Sequence, residues 1–407
     1  MRLIFSFSIF FLSSISWSQH LLPIQYDTNT YNQEIILYGI ADFSASSIQN
    51  EIGKKFIYGG YISNDMKDNS FAQHKGINRV GLDAGGEIEY RNLKANIFKN
   101  NFGFIIKGGY NNYLSLLYSK DLFGLSFYGN ENYLGENINF SGSRFQAMSF
   151  QKIGFGLIDK KSKSNASLNF YSISNYYEGN VRDGQLFQSE NGDSMSLTLD
   201  GTFDYASSSK FMKGYGVGID LDFRIPVSLR KEKISYVQIL VKNLGFAHIN
   251  SPVTHYEADT TFTYNGLTFD QLYGDSKIFN GQFSVLDTLG IDSLTTSKFR
   301  FLPGFIQAGK IVDDLSQSKV QSFFGIRMYP SLNYAPMVYA GVQFRTTKWL
   351  DLAANVSYGG YTGFRAGFYG NVKFENFAVG ISSEDILGFI SNKARGQSLI
   401  LRLRCRF

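Results

Sequence analysis

Cysteine is all but missing from this 407-residue chain, with Cys405 the single example. One thiol closes no intramolecular disulfide, so no covalent framework is expected. Histidine is nearly as scarce: His20, His74, His248 and His255 are the four, and none has a metal-ligand spacing such as His-Glu-x-x-His. No Gly-x-Ser-x-Gly nucleophile elbow occurs. Neither a metal, a cofactor nor a catalytic residue is expected on these grounds. Proline numbers only 6. Beyond the N-terminal segment no apolar run approaches the ~18 residues that a membrane-spanning helix needs. Net charge is +5, without the basic tract of a nucleic-acid binder, so nucleic acid is set aside as a partner.

What is present points elsewhere. There are 38 Phe, 26 Tyr and 41 Gly, yet no long apolar run. That combination suits strands that face lipid on one side only, where every second residue is polar. The last nine residues show it best. Leu399, Leu401, Leu403, Cys405 and Phe407 share one face, and Ile400, Arg402, Arg404 and Arg406 the other. An alternating strand that stops on an aromatic is the usual closing strand of an outer-membrane barrel. Its Phe407 end is what an assembly machinery would recognise.

At the other end, Arg2, an apolar run from Leu3 to Phe11, and Ser16-Trp17-Ser18 read as a secretory signal peptide over 1–18, with Gln19 as first mature residue. The expected organisation is therefore a leader (1–18) and one barrel domain (19–407).

The two-face rhythm repeats over 336–346, 350–358, 364–375 and 377–381, and upstream over 215–225. Further strands are expected near 35–43, 54–63, 77–90, 102–117, 145–159, 165–178, 194–206, 234–246, 299–312 and 320–329. The fold class that follows is all-β: a transmembrane antiparallel barrel of about 14–16 strands, even numbers being the rule. Parity then puts the segment from Ile249 to Lys298, irregular and acidic, outside the cell as a long loop, with a small hairpin expected over Thr260–Phe269. One region breaks the rhythm: 118–135 is apolar without alternation. A short helix or hatch inside the barrel, with Leu122, Phe123, Gly129 and Asn130, and an irregular loop are both consistent with it.

A charge on the lipid face costs about 2–4 kcal/mol at mid-membrane. The strand charges are therefore assigned to the lumen: Asp220, Asp222, Arg224, Arg345, Asp351, Arg365, Lys373, Glu375, Arg402, Arg404 and Arg406. They either line a polar conduit or pair with one another and fill a closed interior.

Three stretches carry a resemblance: Asn243-Leu244-Gly245-Phe246-Ala247-His248, Phe262-Thr263-Tyr264-Asn265-Gly266-Leu267, and Asp385-Ile386-Leu387-Gly388-Phe389-Ile390 with Asn392-Lys393-Ala394-Arg395. Gly129-Asn130 also fits. They resemble an uncharacterised family of Bacteroidota outer-membrane barrels, over roughly 115–407. The resemblance implies a barrel of the broad type seen in long-chain fatty acid transporters and a Gram-negative outer membrane, and implies no substrate. Three functions are open from the sequence: passage of a small, hydrophobic or amphipathic solute; a non-transporting subunit anchoring a secretion or gliding apparatus through an envelope partner; and a rim hydrolase using His248 or His255.

Overall fold

The computed structural model describes residues 31–98, 101–206, 210–230, 233–264, 292–313, 316, 318–331 and 333–407. The expected leader lies outside them.

Seventeen strands among the described residues form one antiparallel sheet. They are β1 (Gln33–Ala45), β2 (Ile77–Ile97), β3 (Phe102–Ser119), β4 (Asn137–Asn139), β5 (Arg144–Asp159), β6 (Asn165–Gln188), β7 (Met195–Ala206), β8 (Gly214–Arg230) and β9 (Lys233–Tyr264). Then follow β10 (Asp292–Phe301), β11 (Phe305–Ile311), β12 (Val320–Met328), β13 (Ala335–Arg345), β14 (Leu350–Gly360), β15 (Gly363–Lys373), β16 (Phe377–Ser383) and β17 (Gly396–Arg406). β1 pairs with both β2 and β17, from Glu34↔Arg406 to Ser44↔Gly396, so the sheet closes on itself. β7 and β8 run the same way between β6 and β9, and so do β10 and β11 against β9. Each pair is one interrupted stave. With the three-residue β4 set aside, the described wall has fourteen staves, an even number, closed by the β1–β17 pairing.

The outward face is a lipid-facing apolar band. Ile88, Ile106, Ile153, Phe155, Phe170, Val217 and Ile239 all point out. Arg91, Lys107, Lys152, Arg224 and Lys242 of the same strands point in and are buried, as the cost of a charge in hydrocarbon demands. Both ends of the described chain lie at one rim, where Gln33 and Phe407 exchange backbone hydrogen bonds. The opposite rim carries the helices α1 (Asn50–Tyr58), α2 (Asn64–Phe71), α3 (Lys120–Tyr128) and α4 (Leu387–Ile390).

Several expectations are corrected. Residues 54–63 are not a strand: they belong to α1 and the segment after it. The run 299–312 is two strands, broken where Leu302 turns inward and is buried. Ile249 to Lys298 is not one irregular loop, because Ile249–Tyr264 continues β9 and Asp292–Lys298 belongs to β10. Thr260–Tyr264 pairs with β7 (Thr260↔Leu199, Tyr264↔Met195) rather than forming a hairpin of its own. Residues 265–291 lie outside the described part. These polar, threonine-rich strands hold because β6, β7, β9 and β10 support one another well beyond the rim at which β1 ends. At about 3.3 Å per residue, Ile249–Tyr264 adds roughly 50 Å along the strand.

The 118–135 segment is helical, in α3 and a 3-10 turn at Glu131–Tyr133, but it is not a plug inside the barrel. Glu34, Glu89 and Asp83 point inward, so by alternation Phe43, Ala45, Val80, Leu114 and Leu116 point outward. α1, α2 and α3 pack on that outer surface through Ile52, Phe71, Leu122 and Phe123. Gly129 ends α3 at a φ of 80°, and Asn130 donates to Gln188 Oε1 at 2.6 Å. Helices could form here because the segment lacks the alternation that a lipid-facing strand requires.

Candidate functional site

The lumen is crossed by two polar layers. The first lies at mid-height and is built on Asp220 of β8, which is fully buried. Its carboxylate lies 3.4 Å from Lys107 Nζ, 3.2 Å from Lys152 Nζ and 3.6 Å from Lys242 Nζ. These lysines come from β3, β5 and β9. Glu87 of β2 pairs with Lys152 and, at 3.1 Å, with Lys242. β2 and β9 are not neighbours in the sheet, so the Glu87–Lys242 pair spans the interior. Towards the terminal rim the layer continues. Glu89 pairs with Arg91 and lies 3.5 Å from Lys107. Glu34 takes Arg91 at 3.3 Å, Arg406 at 2.9 Å and Arg404 at 3.8 Å. Asp222 takes Arg224 at 2.8 Å, and Gln238 donates to it at 2.6 Å.

Asn243 is the residue that lets this layer form. The β8–β9 register shifts between Ile219 and Leu221, a bulge, and Asn243 sits there at a φ of 52°. That left-handed backbone is uncommon for a residue with a Cβ, though Asn tolerates it best. The twist aims its N–H at Asp220 Oδ1, 2.8 Å away. Its side-chain oxygen accepts from Lys152 Nζ at 3.1 Å and from the Tyr171 hydroxyl at 3.2 Å.

The second layer lies nearer the helical rim. Tyr113, Tyr329, Tyr334 and Tyr361 close a ring. Centroids are 6.2 Å apart for Tyr113 and Tyr329, 4.6 Å for Tyr329 and Tyr334, and 5.1 Å for Tyr334 and Tyr361. The Tyr113 and Tyr361 hydroxyls meet at 2.8 Å. Tyr361 reaches across from the β14–β15 turn to lie on Gly81 of β2, where any Cβ would overlap its ring. Around the tyrosines, Arg365 pairs with Asp42 and lies 3.6 Å from Glu384, which also takes Arg327 at 3.5 Å. Asp42, Arg327, Arg365 and the four tyrosines line a cavity of about 20 Å³, which is room for about one water. Two apolar clusters also fill the interior, with Ile40, Phe323, Met337 and Ile400 in one and Phe150, Ile173, Ile249 and Val253 in the other.

The expected lumen residues divide. Asp220, Asp222, Arg224, Arg404 and Arg406 belong to the mid-height layer, and Arg402 lies over the Tyr38 ring. Arg365 belongs to the tyrosine layer. Arg345 and Lys373 both reach Asp351, at 3.7 and 2.7 Å, near the terminal rim. Glu375 does not line the lumen: it is exposed in the turn between β15 and β16, because the strand ends at Lys373. Glu34, Glu87, Glu89, Lys107, Lys152, Lys242 and Arg327 were not singled out from the sequence. The period-two run Glu87, Glu89, Arg91 was the available signal.

His248 and His255 do not make one site. His248 faces outward against Phe299, at 4.4 Å between ring centres, while His255 faces inward and bonds Asp204 at 2.6 Å. Among the described residues no group of three His, Cys, Asp or Glu side chains is placed to hold a metal ion.

The pattern of a family of unknown function, DUF5723, matches residues 42–384. The chain belongs to that family. Asn243 and the Asp385–Arg395 segment, on which the sequence resemblance rested, fall in the mid-height layer and in the α4 region. No curated protein matches the chain. Solved structures similar over nearly its whole length include a TodX deltaS2S3 mutant monoaromatic hydrocarbon channel (8% identity, 93% of this chain and 91% of that one, TM-score 0.44). Others are the Pseudomonas putida toluene transporter TodX (10%, 92% and 88%, 0.37) and the Ralstonia pickettii toluene transporter TbuX (8%, 95% and 92%, 0.40).

Proposed function

We propose that this chain is a gated barrel of the Gram-negative outer membrane that passes a small solute, and that the conformation described is its closed state. The observation that supports this reading is the chemistry of the mid-height layer. A permanent plug is most stable when apolar, since replacing buried ion pairs by packed hydrocarbon is often neutral or stabilising by about 1–4 kcal/mol. A seal of ammonium and carboxylate groups instead trades partners for water when it parts, so opening exposes no apolar surface at that level. Both rims are consistent with the usual orientation, in which the termini face the periplasm and the helical rim the exterior. The test is solute efflux from proteoliposomes carrying entrapped sugars, amino acids and small aromatics. Lys242→Met, which frees Glu87 from its cross-lumen partner, is expected to leak at least tenfold faster than the unaltered barrel. Equal tightness of both, with the barrel intact, rules out the gate.

A second reading, an anchoring subunit for an envelope complex, has one observation in its favour. Above the rim, Phe145, Tyr177, Phe203, Tyr205 and Tyr256 form a row of rings 5.7–6.5 Å apart on the outer side of β5, β6, β7 and β9. Purification in mild detergent decides it: a partner held by this row is lost on Phe203→Ser, and a partnerless barrel counts against the reading.

A further inference from the structure

α1 with the segment after it, and α4, leave an apolar surface exposed at the helical rim. Phe56 is 49% exposed, Tyr58 73%, Tyr61 80% and Ile390 76%, and Leu387 and Phe389 are exposed beside them. α1 and α4 are tied into one unit. Asn50 Nδ2 donates to the carbonyl oxygens of Gly388 and Gly396 at 3.2 and 2.8 Å, and Lys54 Nζ donates to Asn392 Oδ1 at 3.0 Å. The inner sides of α1, α2 and α3 cover the upper ends of strands whose lower halves carry the lipid-facing residues Ile88 and Ile106, and α4 joins this layer through Asn50 of α1. The exposed helical surface therefore continues the apolar band of the wall. Lys54 and Lys55 lie on α1 itself, and Lys393 and Arg395 follow α4 directly, flanking Asn392, which Lys54 bonds. An aromatic face with lysines beside it is the pattern of a helix lying in a membrane interface, its rings in the acyl boundary and its ammonium groups among the phosphates.

We infer that α1 and α4 form an interfacial collar that seats the barrel against phosphate-bearing glycolipid of the outer leaflet. The occupant follows from continuity with the lipid-facing wall and from charge. The choice of leaflet rests on the orientation proposed above, whereas contact with lipid does not.

The experiment uses the mature barrel with Trp349→Phe and Tyr58→Trp, in nanodiscs of phosphatidylcholine brominated near the headgroup, with and without lipid A. Position 58 is largely exposed, so the exchange leaves the packing alone. The indole at position 58 is expected to be quenched at least twofold by the bromines. Lipid A is expected to co-purify with the unaltered barrel and to fall about tenfold with Lys54→Gln plus Lys55→Gln, while the quenching persists. Inorganic phosphate at millimolar concentration is expected to leave lipid A retention unchanged; displacement by it would point to a free-anion site and overturn the assignment. Emission typical of water-exposed indole, untouched by bromine, overturns the collar itself. Lipid A retained equally by the lysine variants overturns the headgroup assignment. None of these outcomes depends on whether the lumen opens, so they separate from failure of the gate.

Discussion

Asp220→Asn is the most informative single change. The side chain keeps its shape, and an amide oxygen still accepts from the Asn243 N–H, 2.8 Å away. What is lost is the negative charge shared by Lys107, Lys152 and Lys242, all within 3.6 Å. Removing one partner of a buried ion pair costs about 3–5 kcal/mol, because the other charge stays buried without compensation. In a barrel those ammonium groups have a remedy that a soluble core lacks: the lumen can admit water. If the cost falls on the closed state alone, the open population rises by about a hundred- to several-thousand-fold, at ~1.4 kcal/mol per tenfold. With one carboxylate fewer among the three lysines, which keep Glu87 and Glu89, the pore should also shift toward anions. Planar-bilayer recording measures both quantities. The expected record is frequent openings with chloride preferred over potassium, against rare openings in the unaltered barrel. Silence, together with a thermal stability lowered by a similar free energy, would show that the layer is only structural and not a gate.

Further expectations concern other parts of the molecule. Gly81→Val places a side chain inside the Tyr361 ring, so the tyrosine layer should part while the mid-height layer stays shut. Reagents added from the helical rim should then modify Tyr113, and no new conductance should appear. His74, before β2, donates from Nδ1 to the Ser70 carbonyl oxygen at 2.7 Å and accepts at Nε2 from the Tyr118 hydroxyl at 2.8 Å. Burial holds its pKa below the usual value, with Lys120 adding to the effect. The unfolded segment therefore binds the proton more readily, and the packing of α2 and α3 should weaken as pH falls below ~6.5. Hydrogen exchange in these helices, corrected for intrinsic rate, checks this. Asp385, ahead of α4, behaves oppositely: burial pushes its carboxyl up to about 6. The folded loop then holds the extra proton between pH ~4 and 6, so its stability falls as pH rises through that window. Exchange over 386–396 should slow from pH 7 to pH 5, and Asp385→Asn should remove the dependence.

The closing part of the barrel was legible because its strands carry an unbroken local code. Leu399 is outward and Ile400 fully buried, as alternation alone requires. The same reasoning failed wherever partners come from closure of the sheet. Lys107, Lys152 and Lys242 are single charges in largely apolar or glycine-rich stretches. Parity points them inward, but only the pairing and curvature of β3, β5, β6, β8 and β9 in one wall bring three strands onto Asp220. Parity also misleads past a strand's end, which is why Glu375 was assigned inward and is instead exposed in a turn. Residues 54–63 and Ile249–Lys298 failed for opposite reasons. The first is apolar enough for a strand but folds as a helix on the outside of the wall. The second is polar enough for a loop but is held extended by β7 and β10 beyond the membrane. The Asn243 motif was visible as a resemblance. Its role was not, since a bulge shows only when two strands are paired.

A gate requires that the lumen be shut to water at rest. Ile36 of β1 is fully buried and faces inward, level with Glu89. With Cys405→Ser and Ile36→Cys, a charged thiol reagent applied from both sides should react with the unaltered lumen at least a hundredfold more slowly than with an exposed cysteine. Adding Asp220→Asn should remove most of that protection. Rapid labelling before any charge is changed would show a standing water path and contradict the closed state.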